Sequence, residues 1–153
     1  MRSKWAAGLA TIFCATLFAH EHHASHKGTL VECGEEFAHL ELVLEKNGKL
    51  TGYMLDGEAE NAQRVKQKEI EIKITSIDGK AQALTVTLKA VANVLTGESE
   101  GDTSEFAATV LALKDASKFE GSIGALNVKG ADFKDVKFKF PEGNEEGKDE
   151  KKK

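Results

Sequence analysis

The chain of 153 residues has little of what cross-links or stiffens a small protein. It contains two cysteines, one proline, one tryptophan and one tyrosine, and aromatic residues make up only 7% of the total. Basic residues do not outnumber acidic ones, and the formal net charge is −4. A basic surface for nucleic acid is therefore not expected, and few aromatic rings could stack on unpaired bases. The composition argues against a nucleic-acid partner.

The apolar run near the start of the chain is shorter than the roughly 20 residues that cross a bilayer as a helix. It extends from Trp5 to Ala19 and follows the basic residues Arg2 and Lys4. This layout is typical of a secretory signal peptide. We expect residues 1–19 to be removed after Ala19, with a cut after Ala24 as the alternative. The mature protein is then exported, periplasmic or extracellular, with no stable membrane span.

Removal of the signal peptide would leave one cysteine. Cys14 lies in the apolar run, so that only Cys33 would remain in the mature chain. A single cysteine cannot form an internal disulfide. In an oxidising compartment it is either buried and inert, paired between chains, or a metal ligand.

What the sequence does contain is an alternation of apolar and polar residues with a period of two. Leu40, Leu42 and Leu44 show it, and similar patterns recur along the chain. Such alternation predicts strands with one face in a core and one in water. Asn47-Gly48 is a two-residue hairpin signal between two of them. The strand candidates are residues 28–33, 40–46, 49–55, 70–74, 84–88, 106–113, 119–128 and 136–140.

Many short strands separated by turns are typical of a sandwich or a barrel. We expect an all-β fold over residues 28–141, an antiparallel β-sandwich of seven to nine short strands, immunoglobulin-like or similar. Residues 20–27 form a histidine-rich segment before it. The last residues, 142–153, lack apolar side chains and are expected to be a disordered, charged tail.

Four of the five histidines lie within the stretch HEHHASH, residues 20–26: His20, His22, His23 and His26. Neutral imidazole suits copper, zinc and nickel ions, and neighbouring histidines of a flexible peptide can converge on one ion. We therefore expect a divalent transition metal to bind here. Such a tract is also compatible with a linker or with proton buffering, and both alternatives stay open.

The position of the signal cleavage would change the metal chemistry. A cut after Ala19 makes His20 the first residue and His22 the third. The free amine, two backbone amides and the third-position imidazole then provide a square-planar nitrogen set, which favours Cu(II) or Ni(II). His22 and His26 have the spacing of a helical zinc motif, but no general-base glutamate lies at the second position. This excludes a zinc protease of that type, and the absence of a nucleophile elbow also argues against an enzyme.

The fifth histidine, His39, directly precedes the strand candidate at residues 40–46. Alternation places it on one face with Glu41 and Val43, as a half-exposed residue with a structural role. A weaker possibility is a second metal-binding patch in which His39 joins Glu41, or joins Glu32 and Cys33.

Several motifs between residues 26 and 56 resemble one group of proteins. They are His26-Lys27-Gly28, the run AHLELV from residue 38, NGKL from residue 47, and YMLD from residue 53. The pattern is similar to small exported bacterial proteins and to a segment near the start of periplasmic adaptor subunits of heavy-metal efflux pumps. The resemblance implies a compact β-sandwich that handles metal, with an efflux component as a partner.

Two functions are thus expected from different classes. The first is an exported soluble protein that binds or buffers Cu, Zn or Ni through the N-terminal histidines and is linked to metal efflux. The second is a non-catalytic structural or protein-interaction module of the cell envelope, in which the histidine segment is a linker.

Overall fold

A computed structural model describes residues 22–144; the expected signal peptide, His20 and the chain after Asn144 lie outside these residues. The described part is all-β, which confirms the predicted class and a strand number within the predicted range. Its eight strands are β1 (Thr29–Cys33), β2 (Ala38–Leu44), β3 (Lys49–Leu55), β4 (Glu69–Ile77), β5 (Lys80–Ala90), β6 (Glu105–Thr109), β7 (Phe119–Val128) and β8 (Ala131–Phe140). No helical segment within residues 22–144 has the length and hydropathy needed to cross a bilayer.

The two layers that the sequence suggested are parts of one continuous sheet. Its strand order is β1-β2-β3-β6-β5-β4-β7-β8, and every pair of neighbours is antiparallel. The sheet curls until its two edge strands approach each other, so that it is nearly closed around a single core. Local hairpins join β1 to β2, β2 to β3, β4 to β5 and β7 to β8, whereas β3 meets β6 and β4 meets β7 across longer stretches of chain.

The seam between β1 and β8 is bridged by side chains. The Thr29 hydroxyl donates to the Pro141 carbonyl at 3.1 Å. The Asn144 amide accepts from Glu32 N at 2.7 Å and donates to Glu32 O at 3.0 Å, as a neighbouring strand would. The predicted disordered tail is therefore wrong at its first residues, because residues 142–144 close the sheet. The remainder of that tail lies outside the described residues.

The core occupies the concave side of the sheet and is built from the alternating apolar residues. A fully buried side chain of this size contributes about 1.5–3 kcal/mol relative to an exposed one, so the core supplies the main driving force for folding. Its largest fully buried members are Leu40, Leu42, Leu50, Met54, Ile70, Ile72, Ile74, Leu88, Phe106, Leu113, Phe119 and Ile123.

The strand expected over residues 106–113 ends early. β6 stops at Thr109, and Leu111–Leu113 form a 3₁₀ turn in which Leu111 is exposed and Leu113 is buried. Val110 N donates to Gly48 O at 2.8 Å, and Leu113 N donates back to Val110 O at 2.9 Å. These local hydrogen bonds take the place of the inter-strand hydrogen bonds that a longer strand would form.

The convex side of β1–β3 is covered by two pieces of chain. We call them the N-terminal segment, residues 22–28, and the covering loop, residues 56–61. Ser25 Oγ donates to Ala59 O at 3.3 Å, which joins the two pieces to each other. Part of the polar side of these three strands, including His39 and Glu41, is consequently shielded from water.

Candidate functional site

The register of β1, β2 and β3 sets which side chains share the covered face. His39 lies opposite Glu32 on β1 and Leu55 on β3, and Glu41 lies opposite Leu30 and Tyr53. This confirms that His39 and Glu41 point to the side away from the core. The prediction that His39 is half-exposed is wrong, since both residues are completely buried. They are buried because the N-terminal segment and the covering loop lie over them.

Glu41 holds the N-terminal segment against β2. Its carboxylate accepts three hydrogen bonds, from His26 N at 2.7 Å, His26 Nδ1 at 2.8 Å and Gly28 N at 2.8 Å. The His26 ring also stacks on Tyr53, with centroids 3.7 Å apart and planes only 7° from parallel. A buried carboxylate is costly unless it is hydrogen-bonded. Here the segment supplies every one of these donors, so docking of the segment and burial of Glu41 depend on each other.

The segment approaches β2 so closely that position 28 accepts only glycine. A Cβ atom on Gly28 would lie 2.6 Å from Leu42 O and 2.9 Å from Glu41 Cγ. The preceding Lys27 has a φ of 60°, a left-handed conformation that glycine adopts at lower cost. His26-Lys27-Gly28 is therefore a tight turn that brings the histidine segment onto the sheet.

His22 and His39 form a pair beneath this turn. Their ring centroids are 4.9 Å apart and their planes are tilted by 48°. His22 Nδ1 lies 3.1 Å from Glu58 O, and His39 Nδ1 lies 3.1 Å from Asp56 O. A carbonyl oxygen can only accept, so in each ring Nδ1 carries the proton. When the ring is neutral, its Nε2 is then left with a lone pair.

Both Nε2 atoms are buried, but they face different neighbours. That of His39 is buried and has no hydrogen-bond partner among the described residues. Leaving such an atom unsatisfied costs about 1–3 kcal/mol, and its presence calls for an explanation such as a water or an ion. His22 Nε2 lies 3.6 Å from Glu36 Oε1. The Glu36 side chain is 61% exposed and can change its rotamer at little cost.

The covering loop is organised by one carboxylate. Asp56 accepts from Glu60 N at 3.0 Å, Asn61 N at 3.2 Å and Asn61 Nδ2 at 2.8 Å. A Cβ atom on Gly57 would overlap Glu36 O, so the loop also packs closely on the turn that carries Glu36. The loop thereby positions both carbonyls that orient the histidine pair.

The hydrogen bonds to Asp56 predict a lowered pKa for its carboxyl. Burial alone would raise the pKa of this carboxyl, but the hydrogen bonds from Asn61 and Glu60 outweigh it and lower the pKa. A lowered folded-state pKa stabilises the loop at neutral pH, and this stabilisation is lost as the pH falls through the folded value. NMR of the side-chain carboxyl should give a midpoint below the ordinary value of about 3.9. A midpoint at or above that value would contradict the loop geometry.

The other predicted ligands lie elsewhere. His23 is exposed, and His26 is bound to Glu41. Cys33 points into the core, on the opposite side of the sheet from His39, and burial together with the charge of Glu32 raises the pKa of its thiol to about 12. Within residues 22–144, no three His, Cys, Asp or Glu side chains are already arranged around a common metal position. The structure thus brings together His22 with His39, and His26 with Glu41.

The sequence interpretation missed Tyr53, Asp56, Glu58 and Glu36 as parts of the site. Asp56-Gly57 was visible as a turn signal directly after a strand, and Glu36 as one of a pair of acids in a turn. Nothing local indicated that the Glu58 carbonyl would reach His22, because that contact depends on where the N-terminal segment lies.

No family model, no curated protein and no solved structure matches this chain. The resemblance to adaptor subunits of metal-efflux pumps therefore stays a prediction.

Proposed function

We propose that this chain is an exported, non-catalytic protein that binds or buffers a divalent transition metal ion, copper, zinc or nickel, through its N-terminal histidines. The observation that carries the proposal is the pairing of His22 with His39, at 4.9 Å between ring centroids. A histidine of the tract is thus held beside a second imidazole that belongs to the sheet.

The chemistry of the pair favours borderline cations over hard ones. Imidazole nitrogen suits Zn(II), Cu(II) and Ni(II), whereas Ca(II) and Mg(II) prefer oxygen. Nδ1–H donation to a carbonyl is the usual way in which proteins fix a metal-ligating histidine. His20, outside the described residues, is a further imidazole of the same tract. Transfer of the ion to an efflux component is part of the proposal and follows from the resemblance over residues 26–56.

Isothermal titration of the mature protein with Cu(II), Zn(II) and Ni(II) tests the proposal. We expect saturable binding tighter than about 100 μM, roughly −5.5 kcal/mol, in at least one titration. Replacement of His20, His22, His23 and His26 by Ala should abolish it, because at most one imidazole then remains. Circular dichroism of the variant serves as the control for folding. A wild-type protein that binds none of the three ions would refute the proposal.

The alternative is a non-catalytic protein-interaction module of the cell envelope. Val94 and Leu95 favour it, because they are 92% and 93% exposed in the turn between the bridged residues Asn93 and Glu98. Two adjacent exposed apolar side chains can anchor a partner. If this function holds, Val94→Ser with Leu95→Ser abolishes partner capture from an envelope extract, while the histidine variant captures the partner normally.

A further inference from the structure

We infer that His39 of β2 and His22 of the N-terminal segment bind one divalent transition metal ion together, and that Glu36 completes the set as a third donor. This inference rests on the proposed function and adds a specific site to it. The ion would connect the segment to the sheet, so that metal binding and docking of the segment reinforce each other. A histidine tract without a folded partner could not do this.

The first support is the buried Nε2 atom of His39. Its lone pair faces a region from which solvent is excluded, and none of the described residues donates to it. Its Nδ1 is already occupied by Asp56 O, so a different tautomer would leave that carbonyl without its donor. A cation at Nε2 satisfies the ring without disturbing this bond.

The second support is the distance between the rings. Two imidazoles that bind one ion through nitrogen at about 2.0–2.1 Å, near tetrahedral or right angles, have centroids roughly 5 Å apart. The observed 4.9 Å between the ring centroids of His22 and His39 is close to this separation. Both rings also carry the carbonyl partner on Nδ1 that is typical of metal-ligating histidines.

The third support is the acid beside the pair. Glu36 Oε1 lies 3.6 Å from His22 Nε2, and a carboxylate at this distance favours a positive charge at the ring, either a proton or a metal ion. A proton on His22 would serve as well as a metal ion. A protonated His22 does not, however, account for the buried lone pair of His39, whereas a shared metal ion accounts for both.

Two nitrogens and one oxygen leave at least one coordination position open. Structural zinc sites use four protein ligands, while sites that exchange a ligand keep a position free. The predicted set is therefore suited to an ion that is taken up and released. This agrees with buffering or transfer better than with a permanent structural role.

Zn(II) titration calorimetry of single variants of the mature protein tests this inference. We expect His39→Ala and His22→Ala each to weaken binding by 10- to 100-fold, and Glu36→Gln to weaken it by a smaller factor. His23→Ala is the matched control from the same tract, and its affinity should stay within about two-fold of the wild type.

The outcomes separate the inference from the function. If the wild-type protein binds Zn(II) and His39→Ala binds equally well, the flexible tract binds alone and the shared site is wrong, although the proposed function stands. If no variant and no wild-type protein binds Zn(II), Cu(II) or Ni(II), both fail.

Limited proteolysis gives a second measurement that does not depend on whether His39→Ala folds normally. Trypsin can cleave after the exposed Lys27, in the turn that carries the segment. Zn(II) should slow this cleavage in the wild type by about ten-fold and leave it unchanged in His22→Ala, which alters only the segment. Equal protection in both proteins would overturn the inference.

Discussion

Replacing Glu41 by Ala should destabilise the protein by about 2–4 kcal/mol. Hydrogen bonds to a charged group are among the strongest in a protein, and water alone cannot replace the buried carboxylate. The change removes the acceptor of three hydrogen bonds. With it goes the carboxylate that holds His26 and Gly28 on the sheet. The N-terminal segment should leave the surface and expose His39. Urea denaturation measures the loss of stability, and the segment's amide exchange measures its release.

Two variants make this prediction specific. His26→Ala removes one ring hydrogen bond and the stack on Tyr53 but keeps both backbone donors, so it should cost about 1 kcal/mol. His23→Ala changes an exposed side chain of the same segment and should alter stability by less than about 0.5 kcal/mol. If Glu41→Ala unfolds within 0.5 kcal/mol of the wild type, the segment is not docked through Glu41 in solution.

Metal affinity should fall steeply in acid. Both imidazoles must lose their protons to bind an ion, so protons compete with the metal at two ligands. Where both rings are protonated, each further pH unit should lower the apparent affinity by up to a hundred-fold. The direction follows from this competition: binding is strongest at neutral pH and weakens as the pH falls. Zn(II) titrations from pH 7.5 to pH 5 measure the slope.

The variants predict how that slope changes. His22→Ala leaves one imidazole of the pair, so the residual affinity should fall by at most about ten-fold per pH unit. His23→Ala should keep the wild-type slope. An affinity that is independent of pH between 7 and 5 would mean that carboxylates alone bind the ion.

The strands were predictable because their signal is local. Period-two alternation gave β3 with both its ends, and it gave the inner positions of β2, β4 and β5. The joining of all strands in one sheet was not predictable, since β3 finds β6 and β4 finds β7 over long sequence separations. The contact of Asn144 with β1 was missed for a related reason. Nothing in a polar residue of the tail indicated that its side chain would hydrogen-bond to the backbone of an edge strand.

The site was half predictable. Alternation correctly placed His39 and Glu41 on the face opposite Leu40 and Leu42. It could not show that this face is covered, because the covering segment is polar and has no periodicity. The structure gives His39 and Glu41 different neighbours. Glu41 binds His26, and the ring next to His39 is that of His22.

The most direct measurement is a Zn(II) titration of the mature protein followed by the ring-nitrogen NMR signals of its histidines. We expect the Nε2 signals of His22 and His39 to change together and to reach completion at one equivalent of metal, while that of His23 is unaffected. If the tract histidines respond to zinc and the His39 signal does not move, the ion is not shared between the segment and the sheet. That result would contradict the site formed by His22 and His39.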